Sequence, residues 1–323
     1  MDKNLAMDLV RVTEVATIRA AEYLGKGDKN AADGAAVAGM RRMFDHIDVE
    51  GTIVIGEGEM DEAPMLYIGE VVGNPTTDSA EQIDIAVDPL DGTSLVATLK
   101  DQAIAVIAVA PKGKMLHAPD MYMDKICVGP KGKGVVHLDL PLDHNIIALA
   151  KVLDKPVEDI TVVMLERERH QKHIDVCRRL GCRIKLVSDG DISTAIATCF
   201  DESDIDMMVG SGGAPEGVLA AAAVKCLGGD FQGRLLPEDE DQKERMLSMG
   251  LELDQLLTLE DLIEGDEVQF AATAVTDTDF IKGIRFGEGD TCYTQSIAMR
   301  SETNTVRFIN TTHHLKKKEK FIL

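Results

Sequence analysis

The chain is 323 residues long, 45% hydrophobic, with a formal net charge of −22 and no tryptophan. Such length and apolar content fit a globular protein with a large core, most simply in two subdomains, and exclude a disordered chain. The charge argues against nucleic acid or an anionic membrane as a main partner, and no apolar run approaches the roughly 18 residues that a membrane span needs.

The N-terminus, Met1-Asp2-Lys3-Asn4, lacks a charged-then-apolar signal pattern. The six cysteines are scattered with no C-x-x-C pair, so reduced thiols in a cytoplasmic protein are expected. Leu5, Leu9, Val12, Ala16 and Ala20 recur near helical spacing and predict an amphipathic helix over 3–24, broken by Gly25-Lys26-Gly27. A second helix is expected over 30–44, with Asp28 near its start. Residues 52–55 read as a short strand ending in Gly56-Glu57-Gly58-Glu59, and 67–72 as another. Ile83, Ile85 and Val87 alternate with Asp84 and Ala86, the period of a strand with two unlike faces. Pro89 should end that strand, because it cannot donate to a ladder. A buried strand is expected over 103–110, and hairpin strands over 126–128 and 134–138 around Gly129-Pro130-Lys131-Gly132.

A helix over 145–155 and the Lys155-Pro156 step suggest a boundary, giving an α+β first part over 1–157 that carries metal ligands. The second part, 158–323, alternates: strands at 161–165, 183–187 and 205–209, and helices at 170–180, 192–200 and 218–227. That alternation predicts an α/β subdomain. The acidic stretch 237–245 reads as a solvated loop or helix start, 268–275 and 306–310 as strands, and Lys316-Lys317-Lys318 as a solvated face.

The block Asp88-Pro89-Leu90-Asp91-Gly92-Thr93 carries the chemistry. Two carboxylates at a strand end suit a hard divalent cation, and backbone N–H groups opening a following helix suit a phosphate. Together they point to metal-assisted phosphoryl hydrolysis. The strong negative charge makes the same case, since a phosphate substrate needs cations to reverse the local sign. Glu57 and Glu59, among glycines after a strand, and Asp33, early in a helix, are further candidate ligands; a tight hairpin and macrodipole complementation are the plainer readings. Gly210-Ser211-Gly212-Gly213-Ala214-Pro215-Glu216-Gly217 precedes an apolar helix, so it either presents N–H donors to an anion or merely caps that helix. Arg167 and Arg169, beyond one strand, can clamp a phosphate or form a charged helix entry. Asp189 and Asp191, beyond the next, can accept from sugar hydroxyls or cap a helix.

The Asp88–Thr93 block resembles the metal-binding motif of the lithium-sensitive phosphatase superfamily. With Gly27-Asp28-Lys29-Asn30…Asp33-Gly34, Val54-Ile55-Gly56-Glu57-Gly58-Glu59, His117-Ala118-Pro119-Asp120-Met121-Tyr122-Met123, Asp189-Gly190-Asp191 and Gly212–Gly217, the chain resembles class II fructose-1,6-bisphosphatases over nearly its full length. The resemblance implies a layered α-β-α-β-α sugar-phosphatase fold of the α/β class. It implies Mn²⁺ or Mg²⁺ held by Asp33, Glu57, Asp88 and Glu216. It places Asp91, Gly92 and Thr93 against substrate beside the metals, with Thr93 and Asp91 catalytic. Tyr122, Arg167, Glu168, Arg169, Asp189, Gly190, Asp191 and Gly213 match sugar-phosphate contacts. The expected reaction removes the 1-phosphate of fructose 1,6-bisphosphate, as in gluconeogenesis, in a homo-oligomer (dimer or tetramer). Sedoheptulose 1,7-bisphosphate as an additional substrate, another phosphatase activity of the superfamily, and a catalytically silent sugar-phosphate sensor are the alternatives.

Overall fold

The structure, a computed structural model, describes residues 5–58, 64–76 and 81–318. Contacts divide the chain into two units, Met1–Met115 with Gly265–Leu323, and Leu116–Glu264. The sequence suggested one boundary near 157. The observed first unit is instead discontinuous, because strands from beyond residue 265 pair with strands from before residue 115.

The first unit begins with helices α1 (Leu5–Ala20) and α2 (Lys29–Phe44), then strands β1 (Glu50–Ile55), β2 (Val71–Val72) and β3 (Gln82–Asp91), helix α3 (Thr93–Thr98) and strand β4 (Ile104–Pro111). The second unit follows with β5 (Tyr122–Val128), α4 (Leu142–Leu153), β6 (Thr161–Leu165), α5 (Gln171–Leu180), β7 (Arg183–Val187), α6 (Asp191–Ala197), β8 (Met207–Gly213), α7 (Ala214–Leu227), β9 (Asp230–Leu236), α8 (Glu240–Ser248), β10 (Leu257–Thr258) and α9 (Leu259–Leu262). The chain returns to the first unit as β11 (Gln269–Ala274), β12 (Arg285–Phe286), β13 (Thr291–Arg300), β14 (Thr305–His314) and α10 (Leu315–Lys318).

The first unit holds an eight-stranded sheet, β12-β13-β11-β4-β3-β1-β2 with β14 on β13. Only β1 and β3 run parallel within it. Helix α1 packs on β4, β11 and β13, and α2 packs on α1 and β3. Their shared core runs from Leu9 and Met40 to Ile85 and Ile107. The second unit holds a six-stranded mixed sheet, β10-β9-β5-β8-β6-β7, parallel only from β8 through β6 to β7. Two mixed sheets with helices are the expected α/β class.

Several elements differ from the sequence reading for identifiable reasons. Pro89 does not end its strand. Asp88 pairs with Val106 and Asp91 with Ile104, so three residues of β3 advance against two of β4. That is a β-bulge, and a bulge tolerates a residue with no N–H to give. The expected strand over 134–138 is a turn: Gln232 satisfies its backbone from the side, donating to the Val136 carbonyl at 3.1 Å and accepting from the Leu138 N–H at 2.9 Å. Strand β5 pairs instead with β8 and β9, which are distant in sequence. Of 67–72, only Val71–Val72 forms a strand. The long strand β13 and strand β9 were not foreseen, because Thr, Gln, Ser, Gly and Arg interrupt their apolar patterns.

Asp84, a charged residue in the middle of β3, is only 2% exposed. Its Oδ2 accepts the N–H groups of Gly113 (2.8 Å), Lys114 (3.1 Å) and Met115 (3.3 Å) in the turn after β4. A buried carboxylate is tolerated when donors surround it, and removing it leaves those donors unsatisfied. We expect Asp84→Ala to lower stability by about 3 kcal/mol or more in urea denaturation. Asp84→Asn should lose less, and an unchanged midpoint for Asp84→Ala would show that water replaces the carboxylate.

Candidate active site

In the first unit the candidate ligands gather at the carboxyl ends of parallel neighbours. Ile55 of β1 pairs with Ala86 of β3, so Glu57 and Asp88 stand two residues beyond one paired level. Ligands in α/β sheets favour such strand ends. Gly56 lets the chain turn there: a Cβ on it would lie 2.0 Å from the Leu66 carbonyl oxygen. The Glu57 N–H then donates to that carbonyl at 3.0 Å. Asp28 caps α2 by accepting from the Ala31 N–H at 2.9 Å, and Asp33 lies one turn further along. Burial raises the Asp33 carboxyl above its ordinary range. Burial, and then the charge of Asp33, push Glu57 up to about 8. Glu57 is thus hindered from ionising both by burial and by a second acid beside it.

The bulge in β3 shapes the rest of this strand end. Asp88 is half-buried, and its Oδ1 accepts from the Leu90 N–H at 2.9 Å. Asp91 is buried, and the chain then passes through Gly92 at φ 91°, in the left-handed region. A side chain on Gly92 would also press on Leu95, with a Cβ 2.7 Å from Cδ1. Half-buried Thr93 opens α3 two residues after Asp91. Glu59 lies outside the described residues.

In the second unit, Gly210-Ser211-Gly212-Gly213 is not the turn that the sequence suggested. It is the end of strand β8, and α7 starts directly at Ala214. The glycines leave room for other side chains. A Cβ on Gly210 would lie 2.9 Å from the His170 ring, one on Gly212 2.4 Å from Asp191 Oδ2, and one on Gly213 1.9 Å from Glu216 Oε2. Glu216 therefore folds back over Gly213. Its Oε2 is buried, with no hydrogen-bond partner among the described residues. Burial first, then Asp191, raise the Glu216 carboxyl, while Lys125 opposes them.

Around this strand end lie the residues that the resemblance marks as candidate sugar-phosphate contacts. Arg169 donates to Ser211 through Nε to Oγ (2.9 Å) and Nη2 to the carbonyl (2.7 Å), and its guanidinium lies 4.8 Å from the centre of the Tyr122 ring. Arg167 donates from Nη2 to the Ser188 carbonyl at 2.8 Å, bridging the ends of β6 and β7. Glu168 is exposed beside them. Asp189 is half-buried, Gly190 takes φ 84°, and Asp191 is buried at the start of α6. The structure thus brings Tyr122 to Arg169, and Asp191 to Gly212 and Glu216.

Two residues here escaped the sequence reading. His170 accepts the Ser211 N–H on Nε2 at 2.8 Å and donates from Nδ1 to the Leu165 carbonyl at 2.7 Å, which ties β6 to β8. Lys125, 1% exposed, donates to Asp191 Oδ2 at 2.6 Å. A lone lysine inside a strand gave no signal, since only its partner explains its burial. Among the described residues, no three His, Cys, Asp or Glu side chains are arranged to hold a metal ion. Burial pushes the Cys177 and Cys199 thiols up to about 12, so neither is a ready nucleophile.

Residues 3–313 match the family described as bacterial fructose-1,6-bisphosphatase, glpX-encoded. The chain belongs to the class II fructose-1,6-bisphosphatase family. It is 45% identical to a D-fructose 1,6-bisphosphatase class 2/sedoheptulose 1,7-bisphosphatase from Synechococcus sp. (strain JA-3-3Ab), over 97% of this chain and 96% of that protein. It is 43% identical to fructose-1,6-bisphosphatase 1 class 2 from Escherichia coli (strain K12), over 99% of this chain and 98% of that protein. The matched segment contains every candidate residue from Asp33 to Glu216.

For this member of the fructose-1,6-bisphosphatase family, the Glu57 shift links protonation to stability. Its folded value, about 8, lies above the unfolded 4.5. The stabilising contribution is therefore complete below about 4.5 and declines as pH rises to about 8. Urea midpoints of the protein in chelator should fall across that window, and Glu57→Gln should flatten the slope. An identical slope in Glu57→Gln would assign the pH dependence to other groups.

Proposed function

We propose that the chain is a metal-dependent phosphatase that removes the 1-phosphate of fructose 1,6-bisphosphate, giving fructose 6-phosphate and inorganic phosphate. The observation that carries this reading is the Asp33–Glu57 pair beside Asp88 at the carboxyl ends of β1 and β3, in a chain 43% identical to a fructose-1,6-bisphosphatase over nearly its whole length. The donor chemistry suits a hard divalent cation, Mn²⁺ or Mg²⁺. The donors are all carboxylate oxygens, Glu57 ionises poorly without a positive charge nearby, and Glu216 Oε2 has no protein donor among the described residues. Asp33, Glu57, Asp88 and Glu216 are the proposed ligands. A bound cation supplies Lewis-acid polarisation of the phosphoryl oxygens and offsets their charge.

The protein's own groups do the rest. Gly92 and Thr93 receive the phosphate where β3 gives way to α3. The Thr93 hydroxyl orients the attacking water or returns a proton to the departing sugar oxygen. A hydroxyl of ordinary acidity is a weak base alone, so Asp91 is its proposed partner. In the second unit, Asp191 and Asp189 accept from sugar hydroxyls, and Arg169 and Arg167 hold the phosphate that stays. Guanidinium contacts to phosphate are charge-assisted and directional, which favours a bisphosphate over a simple ester. The Tyr122 ring under Arg169 limits the freedom of that guanidinium.

Three experiments test this reading. Chelation with EDTA should abolish phosphate release from fructose 1,6-bisphosphate, and Mn²⁺ or Mg²⁺ should restore it; full turnover after exhaustive chelation would refute metal dependence. Glu57→Ala, Asp88→Ala and Glu216→Ala should each lower kcat by about a hundredfold or more at saturating metal. Separately, Arg169→Ala should reduce kcat/KM for fructose 1,6-bisphosphate by about 10–150-fold, equivalent to ~1.5–3 kcal/mol, mainly through KM. The same change should hardly touch 4-nitrophenyl phosphate, which has no second phosphate. Equal losses on both substrates would move Arg169 from substrate recognition to the fold.

A further inference from the structure

Lys125 is the most deeply buried charged side chain of the second unit. It sits on β5, the strand between β8 and β9, and is only 1% exposed. Its register partners are both glycines, Gly210 on β8 and Gly233 on β9. Two further glycines clear its path. A Cβ on Gly217 would lie 3.3 Å from Lys125 Cε, and one on Gly212 3.1 Å from Nζ. The lysine thus runs past Gly217 and Gly212, where a Cβ would crowd it, and ends against Asp191, with Nζ 2.6 Å from Oδ2. Burying an ammonium is unfavourable unless a partner and a tight geometry offset it, and both are present. A merely structural site would be filled more cheaply by an apolar residue of the same length.

We propose that Lys125 is a positioning residue for sugar recognition: its ammonium fixes the Asp191 carboxylate by one oxygen, Oδ2, and leaves Oδ1 to accept a hydroxyl of the substrate. The inference rests on the reading of Asp191 as a sugar contact. Asp191 begins α6, whose preceding Gly190 takes φ 84° and offers no side-chain cap, so the lysine is what holds the carboxylate in place. Charge balance supports the same role. Asp191 and Glu216 repel each other, and Lys125 is the cation that offsets both. The ammonium itself is enclosed and does not touch substrate.

A double-mutant cycle tests the role. Lys125→Met, Asp191→Asn and the double variant are compared by KM for fructose 1,6-bisphosphate, with kcat/KM for 4-nitrophenyl phosphate and the urea midpoint measured alongside. Asp191→Asn should raise the bisphosphate KM about tenfold. Lys125→Met should raise it to a similar extent, well beyond any change on the aryl phosphate. The double variant, which removes both members of the pair, should match Asp191→Asn in bisphosphate KM within about threefold, because Lys125 acts on sugar binding through Asp191. If Lys125→Met alone does not fold, the double variant against Asp191→Asn still decides the point. A double variant much worse than Asp191→Asn would overturn the proposal. So would a Lys125→Met variant with an unchanged bisphosphate KM, or one that loses both substrates in parallel. An unchanged KM in Asp191→Asn would instead refute Asp191 as a sugar contact.

Discussion

Buried carboxylates dominate the candidate site, and the rest of its construction answers to their mutual repulsion. A half-buried acid is hindered from ionising by desolvation, and a second acid beside it adds to that penalty. Glu57 shows both effects and no cation among the described residues opposes them, whereas at Glu216 a lysine does. The two units therefore treat the same physical difficulty in different ways. In the first, under the proposed function, a divalent cation neutralises the charge. In the second, Lys125 supplies part of the neutralisation from within, and one Glu216 oxygen stays available.

The backbone arrangements follow from the need to bring these groups close. At β3 the bulge inserts one residue, and Pro89 occupies it without losing a ladder bond. The bulge places Asp88, Asp91 and Thr93 within one short run that changes direction at Gly92. At β8 the geometry is regular, and the space comes from missing side chains. Gly210, Gly212 and Gly213 make way for His170, Asp191 and Glu216 in turn. A methyl group at any of the three would meet an atom inside 3 Å, so the strand can carry these neighbours only as glycine.

His170 and the two arginines extend the same economy to the rim of the second sheet. Strand ends leave carbonyls and N–H groups that no further strand will pair. Here the side chains that follow each strand satisfy them: His170 for Leu165 and Ser211, Arg169 for Ser211, and Arg167 for Ser188. Side chains held this way lose little further freedom on meeting a substrate, which favours recognition by a rigid rim over recognition by loose loops.

Much of this was legible in the sequence, and the limits have physical causes. Local patterns determined the elements whose signal is local: α1 and α2 by apolar spacing, the Asp28 cap, β4 and β6 as apolar runs, and the acid-and-glycine segments at strand ends. Specific motifs, kept in order along the chain, determined the family. What only the tertiary structure decided were the features set by neighbours distant in sequence. Pro89 stays within β3 because β4 accommodates a bulge. Asp84 is buried because the turn at 113–115 supplies three donors. Residues 134–138 are not a strand because Gln232 satisfies them instead. The glycines of 210–213 read as a loop because nothing local reveals the side chains that fill their space. Lys125 is silent for the same reason: a charged residue in a strand looks exposed until Asp191, 66 positions away, is found against it. Periodicity and motif are properties of adjacent residues, whereas burial of a charge and the necessity of a glycine are properties of the residues packed around it.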